Sequence, residues 1–420
     1  MKQYFFLSVM ISALLSACFP ARSQKTIREY TAANAHPVRT VNPADNDYSD
    51  LDTIGAAIGD AQVVFLGEQD HGDAPAYLAK TRLIKYLHEQ KGFNVLAFES
   101  DFFALEQGWQ EYEKADRNRQ DSFLRTNLFP LWSRCDACAD LLYAYLPAQL
   151  KSGQPLRVTG FDDQLVMRYS RQHLAQELDS LLTPATVSLT KTNDYRLRLL
   201  PYLDSLPFWY YRPDLHRDEI AQGHALLLRL QSALVNQKGV NAFTQQLVSS
   251  IVSMSSRTAG RKAQAISRDA AMASNLLWLC TQRYSSEKII VWAANYHIAR
   301  NYGNATDTRP GTTTMGTYLQ ATAPKLTSYV LGFSSQKGVG GRPGEPPYSF
   351  EAPKAGWEQW VPANLNYSFV DFKIYANRYL DSDPSFSLQA FGHQSQQRNW
   401  MKSFDGLFFI RTMYPCTVLP

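Results

Sequence analysis

A short apolar run, Val63-Val64-Phe65-Leu66, breaks at Gly67 and passes straight into Glu68, Asp70, His71 and Gly72. β-Branched and aromatic residues in a run of this length predict a buried strand. A helix is expected next, from Pro75 to Gln90. It carries Tyr77, Leu78, Leu83, Ile84 and Leu87 at helical spacing, and Lys91-Gly92 stops it. Phe93 to Phe98 is a second apolar run that ends on Glu99 and Ser100. Strand, helix and strand within about 40 residues make a βαβ unit, so the two strands are expected to be parallel and adjacent. Ligands of open α/β sheets sit beyond the carboxyl ends of the strands. Glu68, His71 and Glu99 would all lie there.

Later strands end in the same polar way. Pro155 to Phe161 finishes on Asp162-Asp163-Gln164, and Lys288 to Ala294 is followed by Asn295 and His297. Further strands are expected at Lys325 to Phe333 and Leu407 to Arg411. Helical periodicity dominates Phe102 to Lys151 and again from Tyr169 to about Ser285. The expected fold is α/β with three layers, a mostly parallel sheet and a large helical insertion at about 165–285. Residues 51–420 form that domain, 25–50 a polar Pro/Asn-rich linker, and 1–24 an export signal. Gln336 to Gly356, dense in Gly and Pro, is expected to be a long irregular loop beside a cleft. The aromatic turn Pro207-Phe208-Trp209-Tyr210-Tyr211-Arg212-Pro213 could line a pocket, but is read as core.

Composition narrows the partners. A net charge of +4 over 420 residues, with Lys and Arg scattered, gives no basic run for nucleic acid or an anionic membrane. At the N-terminus Lys2 precedes an apolar stretch from Tyr4 to Ala17, too short to span a bilayer and typical of an export signal. It closes on Leu15-Ser16-Ala17-Cys18, which looks like a lipobox with Cys18 as the lipidated residue. The expected location is therefore the periplasm or the outer membrane or cell surface, with membrane contact only through that lipid. Export favours oxidised thiols, and Cys135 and Cys138 are expected to form a tight bridge. Their redox-motif spacing lacks a leading strand, so a redox role is disfavoured.

The polar strand ends resemble the erythromycin esterase family. Gly67-Glu68-Gln69-Asp70-His71-Gly72 looks like its Gly-Glu-x-x-His-Gly signature, and Glu99 falls at the expected spacing after Gly92-Phe93. Gly160-Phe161-Asp162 is similar to its Gly-Phe-Asp element. Arg268-Asp269 with Met272 and Asn275 resembles a helix motif, and Trp292-x-x-Asn295-x-His297 a late histidine motif; Met315-Gly316 and Tyr318-Leu319 add a weaker match. The resemblance implies that His71 is a catalytic base surrounded by Glu68, Glu99 and His297. Two departures, Ala294 in place of a second late histidine and Lys80 in place of an arginine, argue against erythromycin itself as substrate.

The resemblance implies a carboxylic ester or lactone hydrolase acting on a small molecule, with no cofactor. A neutral imidazole at His71 can take a proton from water and return it to a leaving alcohol. The competing reading is a histidine that caps the next helix. Glu68 and Glu99 are expected to hold and tune His71, although Glu68 could also sit at a helix N-terminus for its dipole. His297 is expected to stabilise the oxyanion or protonate the leaving alkoxide, and Lys80 either to join it or to pair with a glutamate. Asp162 and Arg268 are supporting residues that could form a buried ion pair. Asp70, Asp163 and Asn295 are weaker candidates. No Gly-x-Ser-x-Gly elbow is present, which disfavours a serine triad. Two rival classes remain open: a haem- or iron-binding lipoprotein, and a hydrolase with a metal held by Glu68, His71, Glu99 and His297.

Overall fold

The computed structural model describes residues 26–185, 187–235, 237–259, 265–307, 311–378 and 384–419. The proposed lipidation residue, Cys18, lies outside them. No helix among the described residues is long and apolar enough to cross a membrane.

Eleven strands are described: β1 (His36–Pro37), β2 (Val63–Leu66), β3 (Phe93–Asp101), β4 (Arg157–Asp162), β5 (Lys288–Trp292), β6 (Ser328–Gly340), β7 (Tyr348–Glu351), β8 (Tyr367–Asp371), β9 (Phe386–Phe391), β10 (Gln394–Arg398) and β11 (Gly406–Met413). Nine make one sheet in the order β1-β8-β11-β6-β2-β5-β3-β4, with β7 paired to β6, and β9 and β10 form a separate hairpin. From β11 to β4 every neighbouring pair is parallel, while β1, β7 and β8 pair antiparallel. The mostly parallel α/β sheet is as expected. Its central strands read as unbroken apolar runs because helices cover both faces; every residue of β2 is buried.

β2 and β3 are not adjacent, contrary to expectation. β5 lies between them, with Val291 opposite both Phe65 and Ala97. The crossover helix, Ala74–Lys91, therefore spans a gap that a strand from the far side of the helical insertion fills. Pro75 sits in its first turn, and Gly92, at φ 72°, ends it.

That helix is buried on nearly all sides, which explains a second correction. Residues 27–50 are not a free linker. A helix, Ile27–Asn34, opens on a capping box made by Thr26 and Glu29. Tyr30 donates to the Asp371 carbonyl at 2.8 Å, and β1 extends the sheet beside β8. Arg82, buried on the Ala74–Lys91 helix, forks onto Asp50 at 2.7 and 2.9 Å. Polar composition suggested solvation, but these carboxylates serve cations of the domain.

Between β4 and β5 the described residues form no strand and are mainly helical, including Arg168–Leu182, Leu200–Trp209, Arg217–Leu234, Ala242–Thr258 and Arg268–Trp278. The segment 336–356 is not an irregular loop: β6 runs on to Gly340 and pairs with β7. Gly338 permits this at φ 146°, where a Cβ would lie 2.1 Å from the Met413 carbonyl oxygen. Cys135 is bonded to Cys416, 281 residues away, rather than to Cys138, which is buried and reduced.

Candidate active site

The site lies where β2, β5, β3 and β4 end. Leu66, Trp292 and Phe98 are level across β2, β5 and β3, so the residues that follow share one rim. Beyond β5 the Asn295 N–H donates to the Glu68 carbonyl at 2.8 Å, and the Ala294 N–H donates to Glu99 Oε2 at 3.0 Å. The side chain of Asn295 binds backbone only, at Phe333 and Ala390. It locks the rim together and offers nothing to a substrate. Gly67 is required here, because a Cβ would sit 1.9 Å from Asn295 Oδ1.

Glu68 is fully buried, and both its oxygens are engaged. Oε1 lies 2.9 Å from His71 Nδ1 and accepts from Trp132 Nε1 at 3.2 Å. Oε2 accepts from Lys80. Burial alone would raise this carboxyl, but Lys80 and the hydrogen bond from His71 hold it below its ordinary range. Facing an ionised carboxylate, Nδ1 is the donor of that contact, and Nε2 points away from it on a side chain 14% exposed, with the edge of Trp132 beside the ring.

Lys80 is completely buried, its ammonium 4.1 Å from the centre of the Trp292 ring. Of its two expected roles, pairing with a glutamate is the one seen: Lys80 is closed off behind Glu68, where it neutralises that carboxylate rather than facing a substrate oxyanion.

Glu99 also departs from expectation. It does not hold His71. Its Oε1 accepts from Arg268 Nη2 at 2.8 Å and lies 3.2 Å from His297 Nε2. Burial pushes against ionisation, yet His297 and Arg268 keep the carboxyl well below the usual range. Arg268 forks onto Asp162, with Nε at 3.1 Å from Oδ1 and Nη2 at 2.6 Å from Oδ2. The buried Asp162–Arg268 pair is as the sequence suggested.

His297 completes the group through Asp269, whose Oδ1 is 2.7 Å from Nδ1. Burial would lower this imidazole, but Asp269 and Glu99 overcome it and raise it to about 10. Arg268 Nη1 also approaches His297 Nε2, at 3.2 Å. A protonated nitrogen cannot accept that bond. Three carboxylates, Glu99, Asp162 and Asp269, face two cations here, so His297 is the imidazolium and Arg268 Nη1 keeps an unspent N–H.

Asp269 had no role assigned from sequence, and Trp132 was not singled out. Asp269 adjoins Arg268 in the motif Arg268-Asp269, which was the available signal. Trp132 had none beyond its Trp-rich segment. Asp163 pairs with Arg257 at 2.8 Å, a structural clamp. Asp70 is held by Arg342 and Tyr348 at 2.9 Å each, so the β6–β7 hairpin secures the loop that carries His71. Asp101, at the end of β3, accepts from the Met167 N–H and the Ser170 hydroxyl, and burial pushes it up to about 7.

The four proposed metal ligands do not converge. Glu68 is spent on three nitrogen donors and His297 is bracketed by carboxylates. Among the described residues one group has ligand atoms close enough for a metal, Cys135, Asp136 and Cys416, and its two sulfurs are already bonded to each other.

Solved structures share this architecture. A Bacillus cereus protein superposes with a TM-score of 0.68 at 20% identity, covering 94% of this chain and 98% of that one. A succinoglycan biosynthesis protein gives 0.70 at 18%, over 93% and 97%. A histidine-to-asparagine mutant of the erythromycin esterase EreC, in its open conformation, gives 0.66 at 17%, over 92% and 99%. In sequence the chain is 24% identical to the Bacillus subtilis protein named "Putative hydrolase YbfO", over 98% of both. The erythromycin esterase family profile matches residues 88–413. The chain belongs to the erythromycin esterase family, and with it to the hydrolases.

Proposed function

We propose that the protein hydrolyses a carboxylic ester or lactone with water activated by His71. The observation that carries this reading is the 2.9 Å contact between His71 Nδ1 and Glu68 Oε1, which presents Nε2 as a base. Water gives a proton to Nε2 as its oxygen bonds to the carbonyl carbon. The oxyanion meets Arg268 Nη1 and the cationic His297, both fixed before reaction. When the tetrahedral species collapses, the bond to the alcohol oxygen breaks, and that oxygen takes the proton back from His71. Glu68 steadies the imidazolium between these steps, with Lys80 and Trp132 holding Glu68. The erythromycin esterase name of EreC supports ester chemistry; Ala294 and Lys80 argue for an ester other than erythromycin.

Export, with lipid on Cys18, belongs to the same reading. The Cys135–Cys416 bond supports it, since such bonds persist in oxidising compartments.

A panel of chromogenic esters and macrolides, turned over by wild type and His71→Ala with and without chelator, tests the proposal. His71→Ala is expected to lose turnover about a thousandfold while keeping its circular dichroism and Tm. Undiminished hydrolysis by that variant would overturn the reading, and loss of wild-type activity to chelator would replace the base with a metal.

A further inference from the structure

One cleft beside the centre has a composition that the hydrolytic scheme does not use. It encloses about 720 Å³ between the segment carrying Phe129 and Arg134, the start of the helix Arg168–Leu182, and the aromatic turn with Phe208 and Tyr211. Arg125, which stacks on Tyr143, lines it together with Arg134, Arg168 and Arg171, and no Asp or Glu does. Arg134 and Arg168 are exposed with no side-chain bond to a protein acceptor among the described residues, and Arg171 Nε is buried without a partner. An unpaired, water-excluded donor of this kind is costly unless a ligand meets it.

The apolar wall is exposed in a way the sequence reading did not anticipate. Phe208 and Tyr211, expected as core, are 53% and 61% exposed. Arg171 lies over the Phe208 ring at 5.4 Å, which leaves its fork free to grip a planar anion while the ring receives an apolar body.

The cleft also adjoins the reacting groups. The Phe129 N–H binds Ser100, next to Glu99, and its ring lies 6.1 Å from Trp132, which borders both Glu68 and His71. Phe129 is thus shared between the cleft wall and the packing around Trp132.

We infer that the physiological substrate is an anionic ester, with an apolar body on Phe208 and Tyr211 and a carboxylate or sulfate gripped by Arg168 and Arg171. The inference rests on the ester hydrolase reading for the word ester, but the anion site stands by itself.

Two measurements separate them. Fluorescence titration with anilinonaphthalene sulfonate, against its uncharged parent phenylnaphthylamine, reads the cleft without turnover. The sulfonate is expected to bind more tightly than the parent, to weaken roughly tenfold in the double variant R168Q/R171Q, and to weaken in 0.5 M salt. Equal affinity for the two probes, or a sulfonate affinity indifferent to R168Q/R171Q, overturns the inference. Nitrophenyl octanoate and the nitrophenyl monoester of suberate then supply a matched neutral and anionic pair. A kcat/KM ratio favouring the suberate ester in wild type, and falling about tenfold in R168Q/R171Q, supports an anionic ester; a ratio near one in both overturns it. Failure of every ester with an intact sulfonate site would instead count against the hydrolytic reading alone.

Discussion

His71 and His297 follow neighbouring parallel strands, yet each meets a different set of carboxylates. His71 Nδ1 meets one carboxylate, Glu68, whose charge Lys80 already balances. His297 is bracketed by Asp269 at 2.7 Å and Glu99 at 3.2 Å, which together keep it protonated to about pH 10. Two environments thus surround one residue type: His71 meets a single carboxylate already paired with a lysine, and His297 is a cation fixed between two.

Lys80→Met removes the cation from a fully buried carboxylate. We expect a loss of about 3 kcal/mol in urea unfolding, since breaking one partner of a buried pair strands the other. Adding Glu68→Gln should recover part of that stability and none of the activity. A single variant as stable as wild type would show that Glu68 is protonated rather than paired.

Arg268→Lys keeps the charge but loses the planar fork that spans Glu99, Asp162 and the free Nη1. With a turned-over ester, kcat should fall roughly a hundredfold with little change in KM, as for a lost oxyanion donor. A rise in KM alone would assign Arg268 to ground-state binding.

Stability should depend on alkali through His297. Its folded value, about 10, lies above the ordinary 6.5. Its contribution is therefore full below about pH 6.5 and disappears as pH climbs towards 10. Urea midpoints at pH 6, 8 and 9.5 should decline along that series, and His297→Asn should flatten the decline. Glu99 acts on the acid side: its carboxyl is depressed, so its contribution is lost as pH falls below the ordinary carboxylate range.

Cys416→Ser opens a covalent loop of sequence separation 281. A loss of about 4 kcal/mol is expected, to be read as a lower Tm and urea midpoint, and reproduced in wild type by reductant. Cys138 cannot substitute, because it is buried beside Glu68, and burial and that carboxylate both push its thiol up. Unchanged stability after reduction would show that the Cys135–Cys416 bond is dispensable.

Local pattern by itself determined the helix from Ala74 to Lys91, the buried runs that became β2, β3, β4, β5, β6 and β11, and the polar residues at their ends. Hydrophobic period and a glycine stop are properties of consecutive residues, so they survive without a fold. The motifs carrying Arg268 and Asp162 were legible through the family resemblance. What only tertiary structure decided was which run pairs with which and which charge answers which. β5 came between β2 and β3 because any two apolar strands of similar length can share an edge, and nothing in either one names its neighbour. Glu99 went to His297 and Arg268 rather than His71, Lys80 was sealed behind Glu68, and Cys135 found Cys416. Each of these pairings joins groups distant in the chain, and its energy depends on separation and burial in space, quantities that a linear sequence does not contain.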